Sequence, residues 1–284
     1  MQALTTHGRV FVLTLLAMTA FAGNSLLCRM ALKQTAIDPA SFTSIRIASG
    51  AIALGLIVRW RAGPKRLSGS WGSAIALFAY AAAFSFSYVD LTAATGALLL
   101  FGAVQATMIG YGLRSGERLR GWQPAGLAIA LCGLAGLLLP GFSAPPLQGS
   151  VLMLTAGVAW GVYSLRGKGS GDAIGVSAGN FVRAVVPAAA LSAAGLGSAS
   201  LDLGGVAYAV ASGALASGVG YAVWYTALPG LKTTSAATVQ LSVPVMAALG
   251  GVVVLGEPVT LRLVAASAAI LGGIALVLLQ KRAD

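Results

Sequence analysis

The residues of this chain that could do chemistry are few, and most of them are uncharged. Its seven carboxylates are Asp38, Asp90, Glu117, Asp172, Asp202, Glu257 and Asp284. Each falls at the edge of an apolar run or in a polar stretch beyond it, and none in the middle of a run. The single histidine, His7, sits near the N-terminus, and both cysteines, Cys28 and Cys132, lie inside apolar runs and read as buried small hydrophobes. That inventory offers no metal cluster and no histidine-based acid and base. Gly175-Val176-Ser177-Ala178-Gly179 fits the pattern G-x-S-x-G, which makes an intramembrane serine hydrolase acting through Ser177 the remote enzymatic alternative. A serine nucleophile needs a base within hydrogen-bond reach, and the only histidine is far along the chain. The sequence therefore predicts no catalysis, no cofactor and no metal.

Amides, hydroxyls and aromatic rings are what remain inside the apolar runs. The candidates for a binding cavity are Asn24, Tyr80, Ser85, Tyr88, Thr95, Gln105, Trp160, Tyr163, Ser164, Tyr221, Trp224, Gln240 and Ser242. Amides and hydroxyls can bond the polar ends of a small zwitterion, while ring faces take an apolar side chain or an ammonium group. Trp160 and Tyr163 are three apart and share one helix face. Arg183 and Arg46, also inside apolar runs, are candidate partners for a substrate carboxylate. Pro187 and Pro244 interrupt two of the runs and are candidate hinges.

The elements that must hold these residues follow from composition. Of 284 residues, 57% are hydrophobic and only 9% charged, against about 25% charged in soluble domains, and the mean hydropathy is +0.87. Uncharged or nearly uncharged runs cover 10–27, 39–58, 71–89, 91–113, 121–165, 174–196, 203–228, 233–255 and 263–279. The 121–165 run is broken by Pro140-Gly-Phe-Ser-Ala-Pro-Pro146 and holds two helices. With about 20 residues per crossing, the chain is expected to be an all-α integral membrane protein of ten transmembrane helices with no soluble domain. With the N-terminus in the cytoplasm, thirteen basic residues fall on the inner side: Arg9, Arg59, Arg61, Lys65, Arg66, Arg114, Arg118, Arg120, Arg166, Lys168, Lys232, Lys281 and Arg282. Only Arg29, Lys33 and Arg262 fall on the outer side. That bias predicts a multi-pass protein of a bacterial-type inner membrane with both termini cytoplasmic. It also accounts for the net charge of +11 without a nucleic-acid partner.

The chain repeats itself at an offset near 140 residues. Gly116-Glu117-Arg118-Leu119 matches Gly256-Glu257-Pro258-Val259, and Ala20-Phe21-Ala22-Gly23-Asn24-Ser25-Leu26 matches Ala159-Trp160-Gly161-Val162-Tyr163-Ser164-Leu165. Both glutamates read as caps near the start of the helix that follows them. Five crossings per half is an odd number, so the second copy must be inverted, with 1–140 and 147–284 as the two five-helix repeats. Inverted repeats are a basis of alternating access, with the substrate site between the halves. Ten short crossings in this order, the Gly-Glu pairs, and Tyr225-Thr226-Ala227-Leu228 followed by Pro244 resemble the drug/metabolite transporter superfamily, its EamA-type branch. Within that branch the chain is similar to the amino-acid exporters of the YddG type. The resemblance implies export of small metabolites, aromatic or neutral amino acids first, with drugs, nucleobases or sugars as the alternative cargo. Small multidrug exporters of the same superfamily use an intramembrane glutamate as a proton relay, and no apolar run here carries one. The expected partners are thus a small molecule and the bilayer, and a monomer is expected to suffice.

Overall fold

The computed structural model describes residues 6–61, 67–116, 118–141, 144–167, 171–231 and 239–279. Among them are ten helices and no strand: α1 (Thr6–Gln34), α2 (Pro39–Trp60), α3 (Trp71–Ser87), α4 (Ala93–Arg114), α5 (Gln123–Leu138), α6 (Leu147–Gly167) and α7 (Ala173–Ala194). The eighth, α8, starts as Leu203–Val210, widens into a π-helical stretch Ala211–Val219 and resumes as Gly220–Ala227. Two more, α9 (Ser242–Leu255) and α10 (Leu261–Leu279), complete the set. Six are long and apolar enough to cross a membrane (α1, α2, α4, α7, α8 and α10), and α3, α5 and α9 are shorter apolar helices. At 1.5 Å per residue the 17 residues of α3 span about 26 Å. The lipid-facing surface is apolar: Leu203, Leu261, Val253 and Leu249 are all exposed. Cys132 is exposed with them, so only Cys28 is the buried small hydrophobe expected from its sequence context.

Helix starts follow local chemistry. Asp38 caps α2, its carboxylate accepting from the amides of Ala40 and Ser41 at 2.9 Å each, and Pro39 occupies the first position, where no amide hydrogen is needed. Ser70, Thr92 and Asp172 cap α3, α4 and α7 in the same way. The two prolines differ in position. Pro187 lies inside α7. Pro244 lies beside a break in its run: Val239 and Gln240 are helical, Leu241 is a turn, and α9 begins at Ser242 with Pro244 in its first turn. Proline has no N–H for the carbonyl four residues before it, so the helix restarts there. Glu257 also differs from its expected role. It follows Gly256, whose φ of +63° ends α9, but its carboxylate accepts from the Ala93 amide at the start of α4, at 2.8 Å, rather than capping α10. Glu117 lies outside the described residues.

Glycines set the closest helix contacts. The α5 and α10 backbones meet at Gly126 and Gly273, where an added Cβ would come within 2.6 Å and 2.4 Å of the opposite glycine's carbonyl oxygen. Contact between α2 and the π-helical stretch of α8 is tighter still: a Cβ on Gly213 would sit 2.0 Å from the Arg46 carbonyl oxygen and 2.1 Å from Ser49 Oγ. Backbone cannot swing aside as a side-chain end can. Gly213→Ala is therefore expected to cost about 1–3 kcal/mol or more, read as lower yield and a lower melting temperature in detergent. Gly55→Ala, on α2 with nothing within 4 Å of the new methyl, is the control and should leave both unchanged or raised.

Candidate functional site

Between the helices lies a cavity of about 290 Å³, lined by α1, α3, α4, α6, α8 and the residues leading into α9. Neither α5 nor α10 contributes to it. The lining runs from the middle of α1 and α3 to Gly167 at the end of α6, Leu228 just past α8, and Gln240. Eight of the thirteen candidates read from the sequence line it: Asn24, Tyr80, Gln105, Trp160, Ser164, Tyr221, Trp224 and Gln240.

The other five do not, and each has a local reason. The Ser85 hydroxyl donates to Ala81 O within its own helix at 2.8 Å. Thr95 shares the α4 cap with Thr92, and Ser242 donates to Val239 O at 2.7 Å. Tyr88 is fully buried beyond the cavity, its hydroxyl 3.4 Å from Ala93 O. Tyr163 stacks on Trp160 with centroids 5.3 Å apart but lies behind it, its hydroxyl 3.4 Å from Ser177 Oγ. Ser177 is thus buried in α7 beside a neutral phenol rather than a base.

Aromatic rings form the walls. Trp160 meets Tyr80 at 4.8 Å and Tyr221 at 5.2 Å. Across from it Phe21 meets Tyr221 at 5.8 Å and Trp224 at 6.2 Å. Phe21, Phe84, Tyr225 and Ser217 line the cavity without having been singled out. For Phe21 a signal existed, because it stands in the repeat where Trp160 does. Ser217 belongs to the π-helical stretch, and nothing in the sequence marks that coil.

A polar node closes the floor. The Tyr80 hydroxyl oxygen accepts from Asn24 Nδ2 at 3.3 Å and from Arg46 Nη2 at 3.0 Å, and Asn24 Oδ1 accepts from Ser212 Oγ at 2.6 Å. The Arg46 guanidinium lies over the faces of Tyr80 and Phe84, 5.1 Å and 4.8 Å from their centroids. Arg183 is placed otherwise: it is half-buried, donates to Ser68 O at 2.8 Å and Gly179 O at 2.9 Å, and does not reach the cavity.

The end of the bundle beyond the floor is shut. Arg29, 7% exposed, pairs with Glu257 at 3.2 Å and donates to the carbonyls of Tyr88 and Val89 at 2.8 Å and 2.9 Å. On that side Asp38 also bridges to Ser200. Burial alone would raise its pKa, but the hydrogen bonds from Ser41, Ser200 and Ala40 outweigh it and hold the carboxyl below its ordinary range. At the opposite end Arg61 grips Asp172 with two hydrogen bonds. That bond lowers the Asp172 pKa and raises that of Arg61, so the clamp persists at neutral pH and is lost only when acid protonates the carboxylate below its usual range.

Comparison with known proteins places this architecture. The EamA-like transporter family matches residues 147–279. A protein of Pseudomonas aeruginosa, uncharacterized in function, is 59% identical over 95% of this chain and 94% of its own length. Two uncharacterized transporters of Archaeoglobus fulgidus are 24% and 26% identical, over 86% and 88% of this chain and 90% and 91% of their own. A crystal structure 22% identical superposes with a TM-score of 0.66 over 94% of this chain and 98% of that one, a likeness of fold. With a cavity between its helices, an apolar outer surface and these relatives, the chain belongs to the EamA-like transporter family, as a multi-pass membrane protein of all-helical fold.

Proposed function

We propose that this transporter exports small metabolites, amino acids with apolar or aromatic side chains first, from the cytoplasm across a bacterial-type inner membrane by alternating access. The observation that carries the reading is the aromatic-walled cavity: about 290 Å³, drawn from both halves of the chain, with a shut end at Arg29–Glu257. On this reading the ten helices are ten crossings, in two inverted repeats of five.

The helix contacts support the inverted repeat. Shifting every label by five exchanges α3·α6 with α8·α1, α4·α6 with α9·α1, and α3·α7 with α8·α2, and returns α2·α7, α4·α9 and α5·α10 to themselves; all of these pairs are in contact. On this reading the basic residues assign the Gly167–Gln240 end of the cavity to the cytoplasm and Arg29–Glu257 to the outer side, an inward-facing arrangement. The Gly-Glu turn then holds the outer ends of α1, α4 and α9 together, and Pro187 and Pro244 mark where helices can bend.

Three outcomes are expected. First, among the described residues no carboxylate lies within a helix, so no intramembrane acid is available as a proton relay. Flux of radiolabelled phenylalanine or leucine into proteoliposomes should follow the substrate gradient and survive a protonophore; flux that vanishes when an imposed pH gradient is dissipated would overturn this. Second, in a background lacking Cys28 and Cys132, cysteine at Ser198 should react with an impermeant maleimide from the periplasm and cysteine at Ser115 should not. The reverse pattern would refute the orientation, and export with it. Third, Trp160→Ala should remove an aromatic contact worth on the order of 1 kcal/mol beyond buried area. Competition by aromatic amino acids should weaken about fivefold relative to aliphatic ones, with folding retained. Unchanged selectivity with a lowered melting temperature would assign Trp160 to the core instead.

A further inference from the structure

Arg46 carries a charge it cannot shed. A guanidinium stays protonated in proteins, this one is 2% exposed, and every acidic residue among those described lies outside the helices. A buried charge needs a partner or it is costly. What surrounds Arg46 covers part of that need: two ring faces and the Tyr80 oxygen. Its Nη1 is buried with no hydrogen-bond partner.

The neighbouring groups lack acceptors too. The Tyr80 oxygen already takes hydrogen bonds from Arg46 and Asn24, so its own hydrogen is left to donate. Asn24 uses its oxygen for Ser212 and one amide hydrogen for Tyr80, leaving the second. Ser217 Oγ, also on the cavity wall, is buried and without a partner. The floor therefore holds one permanent cation and a surplus of donors, directly below walls of aromatic rings. The complement of such a surface is an anion with two acceptor oxygens on a small apolar body.

Building on the transport reading above, we infer that the cavity floor is a carboxylate subsite. The substrate carboxylate accepts from the Tyr80 hydroxyl and the Asn24 amide, and Arg46 behind them neutralises its charge, while the apolar end of the substrate lies against Trp160 and Phe21. Recognition then depends on a free carboxylate and less on the ammonium group, which meets ring faces and neutral amides and hydroxyls, with no acid among the described lining residues. Charge-assisted hydrogen bonds are the strong ones, and a site built to make them discriminates sharply against an analogue that lacks the group.

The test uses purified full-length protein in detergent and acid–amide pairs as probes: phenylalanine and phenylalaninamide, leucine and leucinamide, 3-phenylpropionate and 3-phenylpropionamide. Binding is read by quenching of tryptophan fluorescence and by thermal stabilisation. Each acid is expected to bind at least about tenfold more tightly than its amide. In Arg46→Gln the preference should collapse to near unity. Should that variant fail to fold, Tyr80→Phe keeps the ring, removes the donor, and should narrow the preference severalfold. Binding of 3-phenylpropionate with none by the amino acids would sink the amino-acid reading and leave the subsite standing. Equal binding of acids and amides would do the opposite, and no binding by any acid would overturn the subsite.

Discussion

Close contact between α2 and the π-helical part of α8 is the constraint on which the cavity's geometry depends. A π-helix is wider than an α-helix and offsets the side chains that follow it. Here nine residues, Ala211–Val219, take that form, and Gly213 and Gly218 within them let the α2 backbone come near enough to touch. The consequence is chemical. Ser212 reaches Asn24 on α1, Asn24 reaches Tyr80 on α3, and Tyr80 takes the guanidinium of Arg46 on α2. Four helices are tied at one polar point in the interior, where an unpaired polar group is expensive, so the donors the node leaves over are the costly part of it.

Around that point the walls are aromatic pairs: Phe21 meets Tyr221 on one side and Trp160 meets Tyr80 on the other, and Phe21 and Trp160 hold matching places in the two similar stretches 20–26 and 159–165. The ion pair at the end of the bundle beyond the floor has a different character from the walls. Arg29 and Glu257 are buried ion-pair partners, and breaking such a pair leaves charges unsatisfied unless water reaches them. A device of that kind holds well when dry and releases when solvated, as the proposed alternating access asks of this end.

Much of the fold was legible in the sequence, because a membrane crossing is set by the alternation of charge and apolar runs alone. The run 39–58 is α2, Pro39–Trp60; the run 263–279 is α10, Leu261–Leu279. Where Asp, Ser or Thr precedes a run, the cap chemistry fixes the boundary. The cavity was half legible. All three amide candidates reached its lining, since a buried amide needs partners; of the aromatic ones Tyr80, Trp160, Tyr221 and Trp224 did, while Tyr88 and Tyr163 pack behind the walls. Ser85, Thr95 and Ser242 did not, since a hydroxyl in a helix can satisfy itself on its own backbone and then carries no information about its surroundings. Phe84 was invisible as a site residue because an apolar ring needs no partner. The π coil of α8 was illegible altogether, for its composition is that of any small-residue helix.

Arg46 and Arg183 show why the repeat predicts position better than role. Both occupy the second helix of their halves, and by sequence both were candidates for the same carboxylate. Arg183 sits one turn from a helix carbonyl and a loop carbonyl, Gly179 O and Ser68 O, and both accept from it. Those two neutral acceptors, at a side chain that is partly exposed, are enough for a cation. Arg46 sits deeper, where its neighbours are ring faces and a phenol, and no backbone carbonyl is bonded to it. One arginine is consumed by structure and the other keeps donor capacity in reserve. Had both been left unconsumed, two uncompensated charges would lie among helices that, among the described residues, carry no acid, so consuming one of them in backbone hydrogen bonds lowers the cost of folding in lipid. The buried cation of the polar node consequently comes from α2 alone, while the node's other polar groups and the aromatic walls come from both ends of the chain.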